Sequence, residues 1–137
     1  MSIFYNETKK DLPSDELRKL FMSVGWSDGS ETPQMRKNFN KPFIHSTLVI
    51  SAWKDDQLIG AVRVLSDTVI RSIIYDLLVD PQFQNEGIGK ELLRRCRTHF
   101  SGSEWLVQTK PETAGYYKKL GFEINDDVFP SIPSKYF

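Results

Sequence analysis

The sequence contains one cysteine, two histidines and no excess charge of either sign. A single cysteine excludes an intrachain disulfide and a cysteine-based zinc site. Lysine plus arginine and aspartate plus glutamate each number 18, so the net charge is zero, which argues against nucleic-acid binding as the main task. The chain also lacks the long apolar run of a membrane span and a signal-like opening segment, so we expect a cytoplasmic protein without a membrane partner.

Repeats, low-complexity tracts and linker-like stretches are missing as well. The 137 residues are 39% hydrophobic and 26% charged, which is ordinary for a globular protein. This length and composition predict one domain that spans residues 1–137.

The central feature that is present is a strand, a glycine-containing turn and a helix between Ile73 and Cys96. The apolar run that ends at Val79, before Pro81, predicts a buried strand. Apolar residues at positions 88, 92, 93, 96 and 100 have the spacing of one helical face. Glycines let the backbone come close to a ligand, and the first N–H groups of a helix point at anions, so the turn is suited to phosphate.

Three phosphate-binding motifs can be compared with this turn. A dinucleotide fingerprint requires glycine at position 92, which is leucine, and a Walker loop requires Ser or Thr after Lys90, where Glu91 stands. The remaining match is Gln84-x-x-Gly87-x-Gly89. This pattern resembles the acetyl-CoA signature of the GCN5-related N-acetyltransferase family, and the alternative is an ordinary turn between a strand and a helix.

A second stretch, from Tyr116 to Phe122, reads Tyr-Tyr-Lys-Lys-Leu-Gly-Phe and resembles the second signature of the same family. The resemblance covers about residues 46–124. It implies an α/β (α+β-like) fold with a mixed, mostly antiparallel sheet of six to seven strands, helices on both faces and a splay between two central parallel strands. The local patterns predict strands near 3–5, 47–53, 58–65, 69–79, 105–108 and 122–124, and helices that begin near Ser14, Thr32, Ile88 and Thr113.

The resemblance further implies that acetyl-CoA is the cosubstrate. In the family, the strand end holds the pantetheine arm through backbone groups, and the glycine turn holds the pyrophosphate. The matching cofactor-binding residues are Leu77, Leu78, Val79, Gln84, Asn85, Glu86, Gly87, Ile88, Gly89 and Lys90. Many family members carry an Asn seven residues before the catalytic tyrosine, where this chain has Lys110, which puts that single cofactor contact in doubt.

Two catalytic residues follow from the same comparison and from the strand. Tyr117 matches the family tyrosine that protonates the departing thiolate, although a buried structural tyrosine is the alternative. Tyr116 occupies an aromatic position that packs into the core. Asp76 stands among apolar residues of the strand and is the first candidate for the base that deprotonates the amine. His45 or ordered water could take that role instead.

The first two helices roof the acceptor site in the family. Trp26, Phe43 and His45 are therefore candidate substrate-pocket residues, although a core or rim position is the favoured interpretation for each residue taken alone. Arg63 interrupts an apolar strand and needs a carboxylate partner, which Asp67 or Asp76 could supply. It either faces the substrate or forms a purely structural ion pair.

These features predict an N-acetyltransferase that acts on the primary amine of a small molecule and holds no metal. The alternatives are a protein or peptide amine acetyltransferase and a CoA-binding regulatory module without catalysis. The sequence does not decide between a monomer and a homodimer.

Overall fold

The computed structural model describes residues 2–135 and has a mixed sheet of five strands at its centre. The strands are β1 (Phe4–Asn6), β2 (Leu48–Lys54), β3 (Gln57–Ser66), β4 (Arg71–Val79) and β5 (Glu104–Val107). They lie side by side in chain order. The pairs from β1 to β4 are antiparallel, and β4 pairs with β5 in parallel.

Five α-helices accompany the sheet: α1 (Ser14–Ser23), α2 (Pro33–Lys37), α3 (Lys41–Ile44), α4 (Ile88–Thr98) and α5 (Ala114–Lys119). Short 3₁₀ turns at Pro81–Phe83 and Pro111–Thr113 precede α4 and α5. The sequence pattern did not predict α3, because one turn of helix is too short to show a periodicity. None of the helices within residues 2–135 is long and apolar enough to cross a membrane.

Helices cover both faces of the sheet, as the family resemblance implied. On one face, α4 packs Leu92, Leu93 and Cys96 against β2 and β3. On the other face, α1 packs Leu17 and Leu20 against a second core. Cys96 is buried, and burial raises the pKa of its thiol to about 12, which suits a structural role.

The sheet has five strands instead of the six to seven predicted, and the parallel pair lies at its edge instead of its centre. The strand predicted at 122–124 is not formed. Phe122 closes the end of α5 instead, because its N–H donates to the Tyr117 carbonyl at 3.1 Å and the two rings pack edge to face at 5.6 Å. No strand follows within the described residues, where Pro130 and Pro133 lack the N–H groups that a ladder needs.

The parallel pair also creates the gap that defines the site. β5 pairs with β4 from Arg71↔Glu104 to Ile74↔Val107. β4 then continues to Val79 with only β3 beside it. The predicted splay of the two parallel strands is therefore present, and it begins directly after Ile74.

Candidate active site

A cleft of about 980 Å³ opens where β4 and β5 separate. The end of β4, the turn before α4, the segment after β5 and helix α5 form its walls. Most of the site residues predicted from the sequence line this cleft: Trp26, Leu77, Val79, Gln84, Asn85, Gly87, Ile88, Gly89, Lys90 and Tyr117. The others lie outside its lining: Phe43, His45, Arg63, Asp76, Leu78 and Glu86.

The turn between β4 and α4 is held in place by two side chains. Asp80 accepts a hydrogen bond from the Gln82 N–H at 2.9 Å and thereby caps the 3₁₀ turn. Gln84 donates from Nε2 to the Val79 carbonyl at 3.1 Å. The Gln84 side chain therefore ties the turn back to β4.

Helix α4 begins at a glycine in the left-handed conformation. Gly87 is the N-cap and has φ of 80°, which an L-amino acid rarely adopts. The first hydrogen bond within the helix runs from the Glu91 N–H to the Gly87 carbonyl at 3.0 Å. The N–H groups of residues 88–90 precede that bond, and they provide the donors and positive dipole end that suit a phosphate group.

The charges around the cleft favour the same kind of ligand. Lys90 and Lys110 contribute to the lining, and no aspartate or glutamate of the described residues does. Lys110 stands at the position where the family signature suggested an Asn. The cleft therefore has an anion-binding end at the N-terminus of α4.

The end of β4 presents alternate residues to the gap. The Asp80 N–H donates to the Ile59 carbonyl of β3 at 2.8 Å. Adjacent residues of a strand direct their backbone groups to opposite edges, so Leu78 faces β3 whereas Leu77 and Val79 face the gap. The Leu78 side chain is buried in the core beneath α1. Leu77 and Val79 are therefore the strand residues able to contact an extended ligand.

Tyr117 packs against the α4 core and lines the cleft at the same time. Burial raises the pKa of the Tyr117 phenol to about 12, and the neighbouring Tyr116 adds to this rise. The phenol is therefore protonated at neutral pH and can donate a proton or a hydrogen bond.

Tyr116 does not pack into the core as the family position suggested. Its side chain is 44% exposed, and it lines the cleft. A Cβ placed on Gly89 would lie 2.6 Å from the Tyr116 hydroxyl oxygen. The hydroxyl therefore lies over the first turn of α4, and Gly89 leaves the room for it.

Asp76 and Arg63 form an ion pair outside the lining of the cleft, one of the two roles that the sequence left open for them. The Arg63 Nε donates to Asp76 Oδ2 at 2.7 Å, and each side chain is 19% exposed. The guanidinium lies 5.7 Å from the ring centroid of Phe43 and 5.4 Å from that of Tyr75. Phe43 itself is buried in the core beneath α1, and His45 is exposed at the end of α3.

Trp26 reaches the cleft from the loop after α1 and is 56% exposed. Glu31 anchors this loop, because it accepts hydrogen bonds from Arg18 Nε at 2.8 Å and from the Ser27 hydroxyl. Both hydrogen bonds hold the pKa of the Glu31 carboxyl below its usual range, and the bond from Ser27 contributes more to this shift than the bond from Arg18. The Trp26 ring also packs edge to face on Phe21 at 5.9 Å.

Sequence reasoning missed Tyr75 as a cleft residue. Arg63 is paired with Asp76, whereas Val64 is paired with Ile74, so Tyr75 is the extra residue of a β-bulge. The bulge interrupts the alternation of the strand and turns the half-exposed Tyr75 ring toward the cleft. No local signal in the sequence marks it, because a bulge depends on the register with the partner strand.

Comparison with known proteins adds four findings: a family model, two relatives and a solved structure. A family model described as an acetyltransferase (GNAT) domain matches residues 45–124. An uncharacterized N-acetyltransferase ycf52 of Gracilaria tenuistipitata var. liui is 30% identical over 115 residues, which are 82% of this chain and 63% of the relative. The serotonin N-acetyltransferase 2, chloroplastic, of Oryza sativa subsp. japonica is 24% identical over 122 residues, which are 82% of this chain and 57% of the relative.

This chain thus spans less than two thirds of the length of both relatives. The name of the rice relative places that protein in the chloroplast, and the cytoplasmic location of this chain stays a prediction. Among solved structures, a GNAT family acetyltransferase of Streptococcus pneumoniae TIGR4 superposes with a TM-score of 0.76 at 21% identity, over 98% of this chain and 99% of that one. This likeness concerns the fold.

Proposed function

The chain belongs to the GNAT acetyltransferase family, a family of acyltransferases, and from that premise we propose that it transfers the acetyl group of acetyl-CoA to the primary amine of a small molecule. The observation that carries this proposal is that the glycine turn of α4 and Tyr117 line one cleft, at the point where β4 and β5 separate. Acetyl transfer from acetyl-CoA needs a site that holds the pyrophosphate and a group that protonates the departing thiolate, and these two features can supply them.

The residues of the cleft fit acetyl-CoA from end to end. The N–H groups of residues 88–90 and the cations Lys90 and Lys110 suit the pyrophosphate. The pantetheine arm is peptide-like and can lie along β4 as an added strand, with Leu77 and Val79 offering backbone groups. The same backbone can stabilise negative charge on the thioester oxygen during the reaction.

Tyr117 is the proposed general acid. The acceptor ammonium first loses one proton, which in this proposal Asp76 receives through water, because the ion pair with Arg63 holds the carboxylate outside the lining of the cleft. The neutral nitrogen attacks the thioester carbonyl carbon, the carbon–sulfur bond breaks, and the departing thiolate takes the proton of the Tyr117 hydroxyl. The second proton of the nitrogen then returns to the Tyr117 oxygen.

The acceptor side of the cleft supports an amine with a single positive charge. Trp26 and Tyr75 supply aromatic surface, which attracts both apolar groups and cations. A polyamine would need carboxylates for its additional charges, and none of the described residues contributes one to the lining. The rice relative is named for serotonin, which is an aromatic monoamine.

A thiol-release assay with acetyl-CoA tests this function. The panel contains an aromatic monoamine such as tryptamine, spermidine as a polyamine, a lysine peptide and amino acids. We expect the monoamine to have the highest kcat/KM. Release that depends on the lysine peptide alone would favour the protein acetyltransferase, and CoA binding without release in any reaction would favour the regulatory module.

A further inference from the structure

The Tyr116 hydroxyl lies at the anion-binding end of the cleft, and neither its family position nor the reaction described above accounts for this. We propose that it donates a hydrogen bond to the pyrophosphate of CoA and is thus the side-chain donor that supplements the backbone N–H groups of α4. The inference rests on the proposed function, because it concerns the same ligand.

The contact between Tyr116 and Gly89 is the first argument. A Cβ on Gly89 would meet the Tyr116 hydroxyl oxygen at 2.6 Å and Val79 Cγ2 at 3.7 Å. Gly89 does not have a positive φ, so the missing Cβ provides room for the Tyr116 hydroxyl and not a special backbone conformation. The tyrosine hydroxyl therefore lies against the second residue of α4, where the helix meets the end of β4.

The chemistry of the hydroxyl is the second argument. Within residues 2–135, the Tyr116 hydroxyl makes no hydrogen bond to another residue, so its proton is available to a ligand. Burial raises the pKa of the Tyr116 phenol, so the group stays protonated and remains a donor at neutral pH. Lys90 and Lys110 belong to the same lining, which contains no aspartate or glutamate of the described residues, so the charges of the cleft favour a ligand with negative charge.

Tyr117 gives an internal contrast. The two rings pack edge to face with centroids 5.3 Å apart, yet Tyr117 belongs to the α4 core whereas Tyr116 does not. The geometry thus assigns the two adjacent tyrosines to different parts of the same ligand. Tyr116 binds the phosphate end and Tyr117 serves the sulfur end.

Calorimetry with CoA tests the assignment on the full chain. Tyr116→Phe removes one hydroxyl, and we expect the Kd for CoA to rise about tenfold, because hydrogen bonds to charged groups are the stronger ones. Tyr5→Phe is the matched control outside the cleft, since the Tyr5 ring packs under Arg95 of α4, and its Kd should equal that of the wild type.

A truncated acyl donor separates the pyrophosphate from the rest of the cofactor. With S-acetylpantetheine, which has no pyrophosphate, Tyr116→Phe should have the same kcat/KM as the wild type, whereas with acetyl-CoA its KM should rise. A Kd for CoA within about twofold of the wild type, or an equal loss with both donors, would overturn the assignment. Failure of the wild type to bind CoA would instead remove the proposed function itself.

Discussion

The two ends of the cleft are built in different ways. At the proposed cofactor end, the segment Gln84–Lys90, the groups suited to a phosphate are mainly backbone N–H groups of one turn and one helix. At the proposed acceptor end, Trp26 and Tyr75 line the cleft with side chains from a loop and from β4, and the ion pair of Arg63 with Asp76 lies outside the lining. The proposed site for the cofactor is therefore encoded by neighbouring residues of the chain, whereas the proposed site for the acceptor is assembled from residues far apart in the sequence.

The largest expected effect is a loss of kcat in Tyr117→Phe without a comparable loss of CoA affinity. Tyr117→Phe should lower kcat by about 10²–10⁴-fold, the usual contribution of general acid catalysis. The Kd for CoA should move little, because the pyrophosphate anchor is untouched. Single-turnover kinetics should be used, since slow product release could hide the loss. The role is excluded if Tyr117→Phe keeps near-full turnover when chemistry limits the rate, or if it behaves like Tyr116→Phe.

The pH dependence of turnover gives a second readout for Tyr117. Burial raises the pKa of its phenol to about 12, so the acid form is present at every pH below that value. The alkaline limb of the wild-type pH–rate profile should therefore show no decline from this group below its pKa. A decline of turnover on the alkaline side with an apparent pKa near neutral pH would show that a group other than Tyr117 donates the proton.

The next largest effect tests the backbone of the cofactor end. Gly87 has φ of 80°, and valine at that position forces the turn out of its conformation. Several charge-assisted hydrogen bonds would be lost together, and we expect CoA binding to weaken by about 3 kcal/mol. Gly102→Val is the matched control, because Gly102 has open space and no positive φ. Unchanged CoA affinity in a folded Gly87→Val protein would falsify the pyrophosphate assignment.

A smaller effect is expected at the acceptor end. Asp76→Asn should lower turnover by at least about tenfold, because the substituted amide cannot accept the amine proton. CoA affinity should stay the same. If turnover stays within about twofold of the wild type when chemistry limits the rate, Asp76 is a structural partner of Arg63, and His45 or water becomes the favoured base.

The smallest effect concerns the helix that carries the cofactor end. Hydrogen bonds from Arg94 and then Arg95 lower the pKa of Glu91 to about 2. A pKa that is lower in the folded state contributes stability that is present above the unfolded pKa and is lost as the pH falls toward 2. Glu91→Gln should therefore reduce stability at pH 7 by less than about 1 kcal/mol, as for other solvent-screened ion pairs.

Urea unfolding between about pH 7 and pH 2 measures the difference in the free energy of unfolding between the wild type and Glu91→Gln. This difference should shrink toward zero at low pH, and CoA affinity at pH 7 should not change. A difference that is independent of pH would mean that Glu91 stabilises α4 by packing and not by its charge.

The antiparallel strands, α4 and the turn before it were predicted close to their observed bounds. Two errors in the fold have a common origin. The strand expected at 122–124 is replaced by a helix end, because the Phe122 N–H bonds to the Tyr117 carbonyl, and the edge position of β5 follows from that. The sequence left two roles open for Arg63, contact with the substrate or a structural ion pair. The register of β3 and β4 places Arg63 opposite Asp76, and the two side chains form the ion pair.

The strand, turn and helix of the proposed cofactor end can be predicted from the sequence, because they depend on residues a few positions apart. Glycine at an N-cap, an amphipathic helix and a strand stopped by proline each follow from local backbone chemistry. In contrast, the positions of Tyr116 over Gly89, of Tyr75 at the cleft and of Asp76 beside Arg63 depend on the packing of separate elements. Side-chain direction at a bulge or beside a second element depends on partners far away in the chain, and no local pattern encodes them.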